Sequence, residues 1–174
     1  MKFSLSVAVG NYDRTRALVD GRVRIDGVNP AFMTLSPEEM FFRAFRHADF
    51  DITELSLASY AVSLANDANE YTALPIFLSR AFRHSSIYVT HESGIQKPEQ
   101  MRGKRIGIAE YQLTANVWAR ALLEDDYGVS PSEIVWVRGG MDAPVRPEKL
   151  RLDLPSDVRV EAVRPDETLN LLLT

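Results

Sequence analysis

The sequence predicts an α/β fold with mainly parallel strands, and three observations support this prediction. Short or alternating apolar runs typical of strands are followed repeatedly by segments with helical periodicity. This alternation occurs twice, before and after about residue 85, which indicates two lobes. The 174 residues, 45% of them hydrophobic and 25% charged, are enough to bury a core without help from a metal or disulfides.

The first 50 residues contain strong local signals. Apolar residues alternate over residues 3–9 and predict a strand, and Asp13 is placed to cap a short helix over 14–19. Residues 23–25 predict a second short strand, because Val and Ile precede an Asp-Gly turn. Residues 36–39, Ser-Pro-Glu-Glu, predict a helix start with a serine cap, a proline in the first turn and a capping glutamate.

The middle of the chain continues this alternation. Residues 51–55 predict a buried strand that leads into a helix over 56–65. Two further strands are predicted at 73–77 and 86–90. The charged segment 79–85 between them is therefore expected to be a crossover.

The last 80 residues repeat the strand and helix pattern. A one-turn helix closed by Gly103 precedes a strand, and Thr114 is placed to cap a helix that Gly128 ends. The Pro-rich stretch 144–155 is expected to be a surface excursion. Trp118 and Trp136 lie in apolar periodic segments and are predicted to be core residues. The remaining elements are predicted as strands at 106–109, 134–137 and 158–162 and a final helix at 169–173.

Composition and spacing exclude several classes of function. The absence of cysteine excludes disulfides, a thiolate nucleophile and cysteine-bound zinc, and a net charge of −4 gives no footprint for nucleic acid or anionic membranes. His47, His84 and His91 are too far apart for a preformed metal site, and no phosphate-binding Gly-rich loop or GxSxG motif is present. With no long apolar run and no signal-peptide pattern, we expect a cytoplasmic chain.

Three strand-to-helix junctions carry polar side chains where α/β proteins bind ligands, outside the carboxyl ends of strands. They are residues 11–14, 54–60 and 110–115. The alternative interpretation is that the hydroxyls only cap helices and the tyrosines fill space. The candidate binding residues at the second and third junctions are Ser56, Ser59, Tyr60, Gln112 and Thr114.

A compact group of cations lies between the predicted lobes. Arg80, Arg83 and His84 combine two guanidiniums with an imidazole, a set suited to carboxylate recognition and proton transfer. A solvated turn with a hydrogen-bonded histidine is the alternative. Glu54 and Glu110 are candidate acids or bases if they are buried, and each could instead orient an arginine.

Three blocks of the sequence, taken in order, resemble the 4,5-dihydroxyphthalate decarboxylase family. They are ELSLASY at 54–60, PIFLSRAFRHS at 75–85 and GIAEYQLTA at 107–115. The segment KPEQMRGKRIG at 97–107 also resembles the second-lobe entry of type 2 periplasmic-binding-protein folds. The similarity extends over nearly the whole chain.

The resemblance implies a cytoplasmic lyase of phthalate degradation and aromatic compound catabolism. Such an enzyme converts 4,5-dihydroxyphthalate to protocatechuate and CO2 without a metal or an organic cofactor. The implied architecture is type 2 periplasmic-binding-protein-like, with two α/β lobes and a ligand cleft. The lobes would comprise residues 1–84 and 85–174. Family members are longer, so this sequence resembles their amino-terminal part, with an incomplete second lobe that lacks the return to the first.

The chemistry of such a decarboxylation suggests roles for the candidate residues. Direct loss of CO2 would leave an unstabilised aryl anion, so we expect an acid to protonate the ring carbon first, with a cationic clamp on the carboxylates. Arg80 and Arg83 are assigned to the carboxylates, and His84 or Glu110 to proton transfer. Hydrogen bonds that orient the ring are assigned to Ser56, Ser59, Tyr60, Gln112 and Thr114.

The sequence leaves other functions open. The same fold also serves as a solute-binding module for small aromatic or anionic ligands, and a menaquinone-pathway enzyme shares it. A third alternative is a fragment without function that exposes apolar surface. The actual substrate, the proton donor and the oligomeric state, a homo-oligomer being one option, are not determined by the sequence.

Overall fold

A computed structural model describes residues 2–143 and 147–173 of the chain. These residues form two compact units, one ending at Arg80 and the other beginning at Ala81. Each unit contains a three-stranded sheet in which every strand pair is parallel. The predicted α/β class is therefore confirmed. The contacts divide the chain at Arg80, whereas the sequence suggested a division after His84.

The first unit packs its helices against a sheet of order β2-β1-β3. Its elements are β1 (Phe3–Val9), α1 (Arg16–Val19), β2 (Val28–Thr34), α2 (Pro37–His47), β3 (Ile52–Thr53) and α3 (Leu57–Ala65). The core is formed by Ala8 of the central strand with Met40, Ala44 and Phe50.

Side chains fix two elements of this unit. The Ser36 hydroxyl accepts a hydrogen bond from the Glu39 amide and caps α2, as its Ser-Pro-Glu-Glu start predicts. The two-residue β3 is too short to be held by its ladder alone. The Asp51 carboxylate accepts hydrogen bonds from both the amide and the hydroxyl of Ser6, each 2.7 Å long, and so ties β3 to β1.

The second unit has a sheet of order β4-β5-β6. Its elements are 3₁₀ turns at His84–Ser86, His91–Ser93, Pro98–Met101 and Pro131–Glu133, strands β4 (Arg105–Ile108), β5 (Val135–Arg138) and β6 (Arg159–Ala162), and helices α4 (Thr114–Tyr127) and α5 (Leu169–Leu173). The central strand carries the buried Trp136. The main core of the unit comprises Met101, Ile108, Tyr111, Leu123, Val129, Ile134 and Trp136.

Glycines allow α5 to approach the sheet closely. A Cβ at Gly107 would lie 3.0 Å from Leu169, and one at Gly139 would lie 2.8 Å from Val163 and 3.1 Å from Leu169. The Leu169 amide also donates to the carbonyl of Gly140 at 2.8 Å. The first turn of α5 is thus placed directly over the end of β5.

Three predicted strands are wrong. Residues 23–25 form no strand, and the strand follows at Val28–Thr34, where Asn29 and Pro30 interrupt the apolar pattern. Proline is tolerated there because β2 pairs only with β1 and is an edge strand. Residues 73–77 and 86–90 join no ladder within the described chain, and most of their apolar side chains are exposed.

Three other expectations need correction. Trp136 is buried as predicted, but Trp118 on α4 is 56% exposed. The expected surface excursion over 144–155 contains the buried Lys149; residues 144–146 of that stretch lie outside the described residues. Thr114 is the first residue of α4, and Leu113 occupies the cap position.

No helix within 2–143 and 147–173 combines the length and apolar character needed to cross a bilayer.

We predict that Gly139→Ala destabilises the second unit by about 1–3 kcal/mol, because the new methyl group overpacks the contact with Val163 and Leu169. Chemical denaturation measures the loss. Val163→Ala removes the closest clashing atoms, so in a double-mutant cycle the effect of Gly139→Ala should be smaller in that background. Equal losses in both backgrounds would contradict the packing argument.

Candidate functional site

Polar side chains gather where the strands of each sheet end. In the first unit β1 is followed by Gly10–Tyr12 and β3 by Glu54 and the start of α3. In the second unit β4 is followed by Glu110–Gln112 and the start of α4. These are the carboxyl ends of parallel strands, where open α/β sheets bind ligands.

Tyr12 and Glu54 form a hydrogen-bonded pair in the first unit. The Tyr12 hydroxyl donates to Oε1 of Glu54 at 2.8 Å, while Oε2 is buried and has no hydrogen-bond partner. The tyrosine ring lies against Gly10, where a Cβ would be 2.6 Å from Cζ. Burial raises the pKa of the Glu54 carboxyl, and the hydrogen bond from Tyr12 opposes that rise. Glu54 is thus better suited than an exposed glutamate to hold a proton.

The predicted hydroxyls of the first unit lie at the start of α3. Ser56 caps the helix: its Oγ accepts from the amide of Ser59 at 3.5 Å and from the Ser59 hydroxyl at 3.2 Å, and both residues are buried. The Tyr60 hydroxyl donates to the carbonyl of Tyr71 and accepts from the amide of Ala73. All three hydroxyls are thus hydrogen-bonded within the first unit.

The predicted cations are distributed over both units. Arg80, at the end of the first unit, is exposed, with its guanidinium 5.8 Å from the ring centre of Phe77. Arg83 is half-buried and precedes the 3₁₀ turn that begins at His84. The His84 ring stacks on Phe82 at 4.8 Å. Its Nε2 lies 3.2 Å from Oδ2 of Asp126, so the imidazole has a fixed carboxylate partner.

Glu110 lies at the centre of a buried polar cluster in the second unit. Nζ of Lys149 is 2.6 Å from its Oε1, and Nε2 of Gln112 donates to its Oε2 at 2.6 Å. The side chains of Glu110 and Lys149 are 12% and 2% exposed. The side-chain Nδ2 of Asn116 on α4 donates to the backbone carbonyl of Glu110, also at 2.6 Å. Both the side chain and the backbone of Glu110 are therefore held in place.

A buried arginine supports the loop that carries this cluster. Nη1 of Arg120 donates to the carbonyl of Tyr111 at 2.7 Å, and its guanidinium lies 3.6 Å from the centre of the Tyr111 ring. Tyr111 in turn makes an edge contact with Trp136. Burial lowers the pKa of Arg120 and raises that of Tyr111. Thr114 follows this loop and is half-buried.

Two residues of these clusters were not among the predicted site residues. Tyr12 lies in the strand-to-helix junction at 11–14, which the sequence indicates as a possible ligand-binding region. Lys149 had no signal, because it lies in a Pro-rich stretch without periodicity and its partner is 39 residues away. Among the described residues, no group of three or more His, Asp or Glu side chains is arranged to hold a metal ion.

Comparison with known proteins identifies the family. The chain is 57% identical over 172 residues to the 4,5-dihydroxyphthalate decarboxylase of Pseudomonas putida, an alignment that covers 99% of the chain and 67% of that enzyme. The chain belongs to the 4,5-dihydroxyphthalate decarboxylase family. The enzyme of that name from Comamonas testosteroni is also 57% identical over 172 residues, and there the chain covers 52% of the relative.

The resemblance of the three sequence blocks to 4,5-dihydroxyphthalate decarboxylases is thereby confirmed. This family member spans about two thirds of the first relative and about half of the second. No protein-family model matches the chain.

We predict that the stability of this decarboxylase homologue depends on the protonation of Glu54. Because burial raises the pKa of Glu54 above its ordinary value of 4.5, the folded state binds more protons than the unfolded state between that value and the folded pKa. Stability should therefore fall as the pH rises through this window. Glu54→Gln removes the titration, so denaturation midpoints should increasingly favour the variant as the pH rises.

Two variants test the assignment to Glu54. Tyr12→Phe removes the hydrogen bond that favours the carboxylate, so it should extend the window to higher pH. Glu70→Gln, which removes an exposed carboxylate from the same unit, is the control. A difference between Glu54→Gln and the unmodified chain that does not change with pH, or that changes in the opposite direction, would contradict the assignment.

Proposed function

We propose that this chain acts as a 4,5-dihydroxyphthalate decarboxylase, releasing CO2 and protocatechuate without a metal or an organic cofactor. The observation that carries the proposal is the 57% identity along 99% of the chain to enzymes of that name. The polar clusters at the carboxyl ends of both sheets support it. We further propose the type 2 periplasmic-binding-protein-like arrangement as the finer fold.

The reaction needs an acid because the direct product of CO2 loss would be an aryl anion that the ring cannot stabilise. Protonation of the ring carbon that bears the carboxylate avoids this anion. The hydroxyl para to that carbon supplies the electrons and gives its proton to a base. The C–C bond then breaks and CO2 leaves; the bond's electrons restore the aromatic ring and turn the dienone oxygen into a phenolate, which takes back the proton from the base. The site therefore needs a cationic clamp, an acid and an acceptor for the phenolic proton.

The candidate residues provide these groups. We assign Arg80 and Arg83 to the substrate carboxylates, since guanidiniums bind carboxylates with two parallel hydrogen bonds. Proton transfer is assigned to His84 or Glu110. His84 is partly exposed and oriented by Asp126, and Glu110 is held by two donors. The ring is oriented by hydrogen bonds from Ser56, Ser59, Tyr60, Gln112 and Thr114.

The direct test is incubation of the purified chain with 4,5-dihydroxyphthalate in the absence of added metal, followed by chromatography. Loss of substrate with equal formation of protocatechuate is the expected result. Binding of the substrate without turnover would instead support a solute-binding role, and neither binding nor turnover would contradict the proposed substrate.

We predict that Arg83→Leu raises the KM for 4,5-dihydroxyphthalate about 10-fold to 100-fold, or abolishes turnover. This range corresponds to the loss of a charge-assisted hydrogen bond to a carboxylate, which contributes about 1.5–3 kcal/mol. The thermal unfolding midpoint should stay the same. Arg22→Leu is the matched control, because Arg22 is exposed and pairs only with the nearby Asp20 among the described residues. Unchanged kinetics in Arg83→Leu would exclude its role.

A further inference from the structure

Gln112 leaves one acceptor unused in a buried position. The residue is 3% exposed, and its Oε1 has no hydrogen-bond partner. Rotating the amide would not solve this, because Oε1 would then face the Glu110 carboxylate in place of the donor Nε2. A buried acceptor without a donor costs about 1–3 kcal/mol, and folded proteins contain few of them. The unpaired Oε1 therefore destabilises the folded chain, although the carboxylate and the ammonium beside it are hydrogen-bonded.

Lys149 determines the orientation of this amide indirectly. Its ammonium holds one carboxylate oxygen of Glu110, and the other carboxylate oxygen then receives Nε2 of Gln112. Lys149 thus contacts Glu110, and Glu110 contacts Gln112, whose Oε1 has no hydrogen-bond partner. At 2% side-chain exposure Lys149 is the most enclosed member of the ion pair, while Glu110 keeps 12% exposure. As whole residues, Gln112 and Lys149 are each 3% exposed, so a ligand that reaches the cluster would contact Glu110 first and the adjacent Gln112 amide as it enters the site.

The two groups at the ligand end are both hydrogen-bond acceptors. An ionised carboxylate donates nothing, and the only donor of Gln112 that faces the carboxylate is already engaged. Such a pair suits a ligand that offers two neighbouring O–H donors. The 4,5-hydroxyls of the proposed substrate are adjacent on the ring and have this character. A ligand without hydroxyls would leave Oε1 unpaired, as it is in the free chain.

We propose that Glu110 and Gln112 bind the vicinal hydroxyls of the aromatic substrate and that Lys149 is the positioning residue that fixes them. This inference rests on the proposed function, since it assigns one part of that substrate to one cluster. The proposal makes this cluster a determinant of the specificity for ligands with vicinal hydroxyls. Sites built to hydrogen-bond a hydroxyl discriminate strongly against analogues that lack it, because buried polar groups of the site are then left unpaired.

The test compares two ligands that differ only in these hydroxyls and do not react further: protocatechuate and benzoate. Calorimetric titration of the chain should show protocatechuate binding at least about 10-fold more tightly than benzoate, the effect of one satisfied hydrogen bond to a charged group. Gln112→Met, which keeps the volume and removes the acceptor, should reduce this preference about 10-fold while the benzoate affinity stays the same.

Lys149 needs a different design, because Lys149→Met alone would leave a buried carboxylate without its counter-charge and could unfold the unit. The double variant Lys149→Met/Glu110→Gln removes both charges, and it should fold and lose the preference for protocatechuate. Lys149→Arg retains a cation at this position and should keep part of the preference for protocatechuate. Lys104→Met, which changes an exposed lysine in the same unit, is the control and should keep the full preference.

Other binding results overturn the inference. Equal binding of the two ligands, or of neither, by the unmodified chain excludes a hydroxyl-binding cluster. Equal losses for both ligands in Gln112→Met show a structural role only, and an unchanged preference shows no role. Failure of the proposed function is measured separately: a chain that prefers protocatechuate through Gln112 but does not decarboxylate 4,5-dihydroxyphthalate would retain the inference and lose the activity.

Discussion

Parallel pairing is the constraint on which the rest of this structure depends. A parallel strand cannot follow its neighbour through a tight hairpin, so the chain must return along the sheet before each new strand begins. Within each sheet, all strands therefore end at the same edge, and the residues that follow them collect there. Tyr12 and Glu54 meet in this way although 42 residues separate them. The corresponding edge of each sheet carries the amino terminus of a helix, α3 in the first unit and α4 in the second.

The two carboxyls at these edges are stabilised in different ways. Glu54 receives a neutral hydroxyl and keeps a buried oxygen without a partner, and burial dominates its titration. Glu110 receives an ammonium and an amide, so both of its oxygens are bonded. Each unit of this chain thus contributes a carboxyl with a distinct chemical character.

Local sequence signals were sufficient to predict the elements whose formation depends on local interactions. The alternation in Phe3–Val9 and the cap at Ser36 predicted β1 and α2 correctly. The edge strand Val28–Thr34 was missed because its proline argues against a strand unless the pairing partner is known. The apolar run at 73–77 gave the opposite error, because it has the composition of a strand but pairs with no strand among the described residues.

The residues of the candidate site likewise divide into those that local sequence signals predict and those that they do not. Glu54, Glu110 and Gln112 could be proposed because each follows a recognisable strand. The buried position of Lys149 could not be predicted, since its partner is distant in the sequence and no periodicity marks it. Long-range ion pairs of this kind leave no pattern in a single sequence.

The positions of the two tryptophans have a spectroscopic consequence. Both belong to the second unit, where Trp136 is enclosed and donates its indole N–H to the Pro131 carbonyl, while Trp118 is open to solvent on α4. A dissolved quencher will therefore reach one fluorophore and spare the other, which divides the emission into a surface and an interior component. A ligand that perturbs the interior component reports an event near β5, whereas the first unit contains no tryptophan of its own.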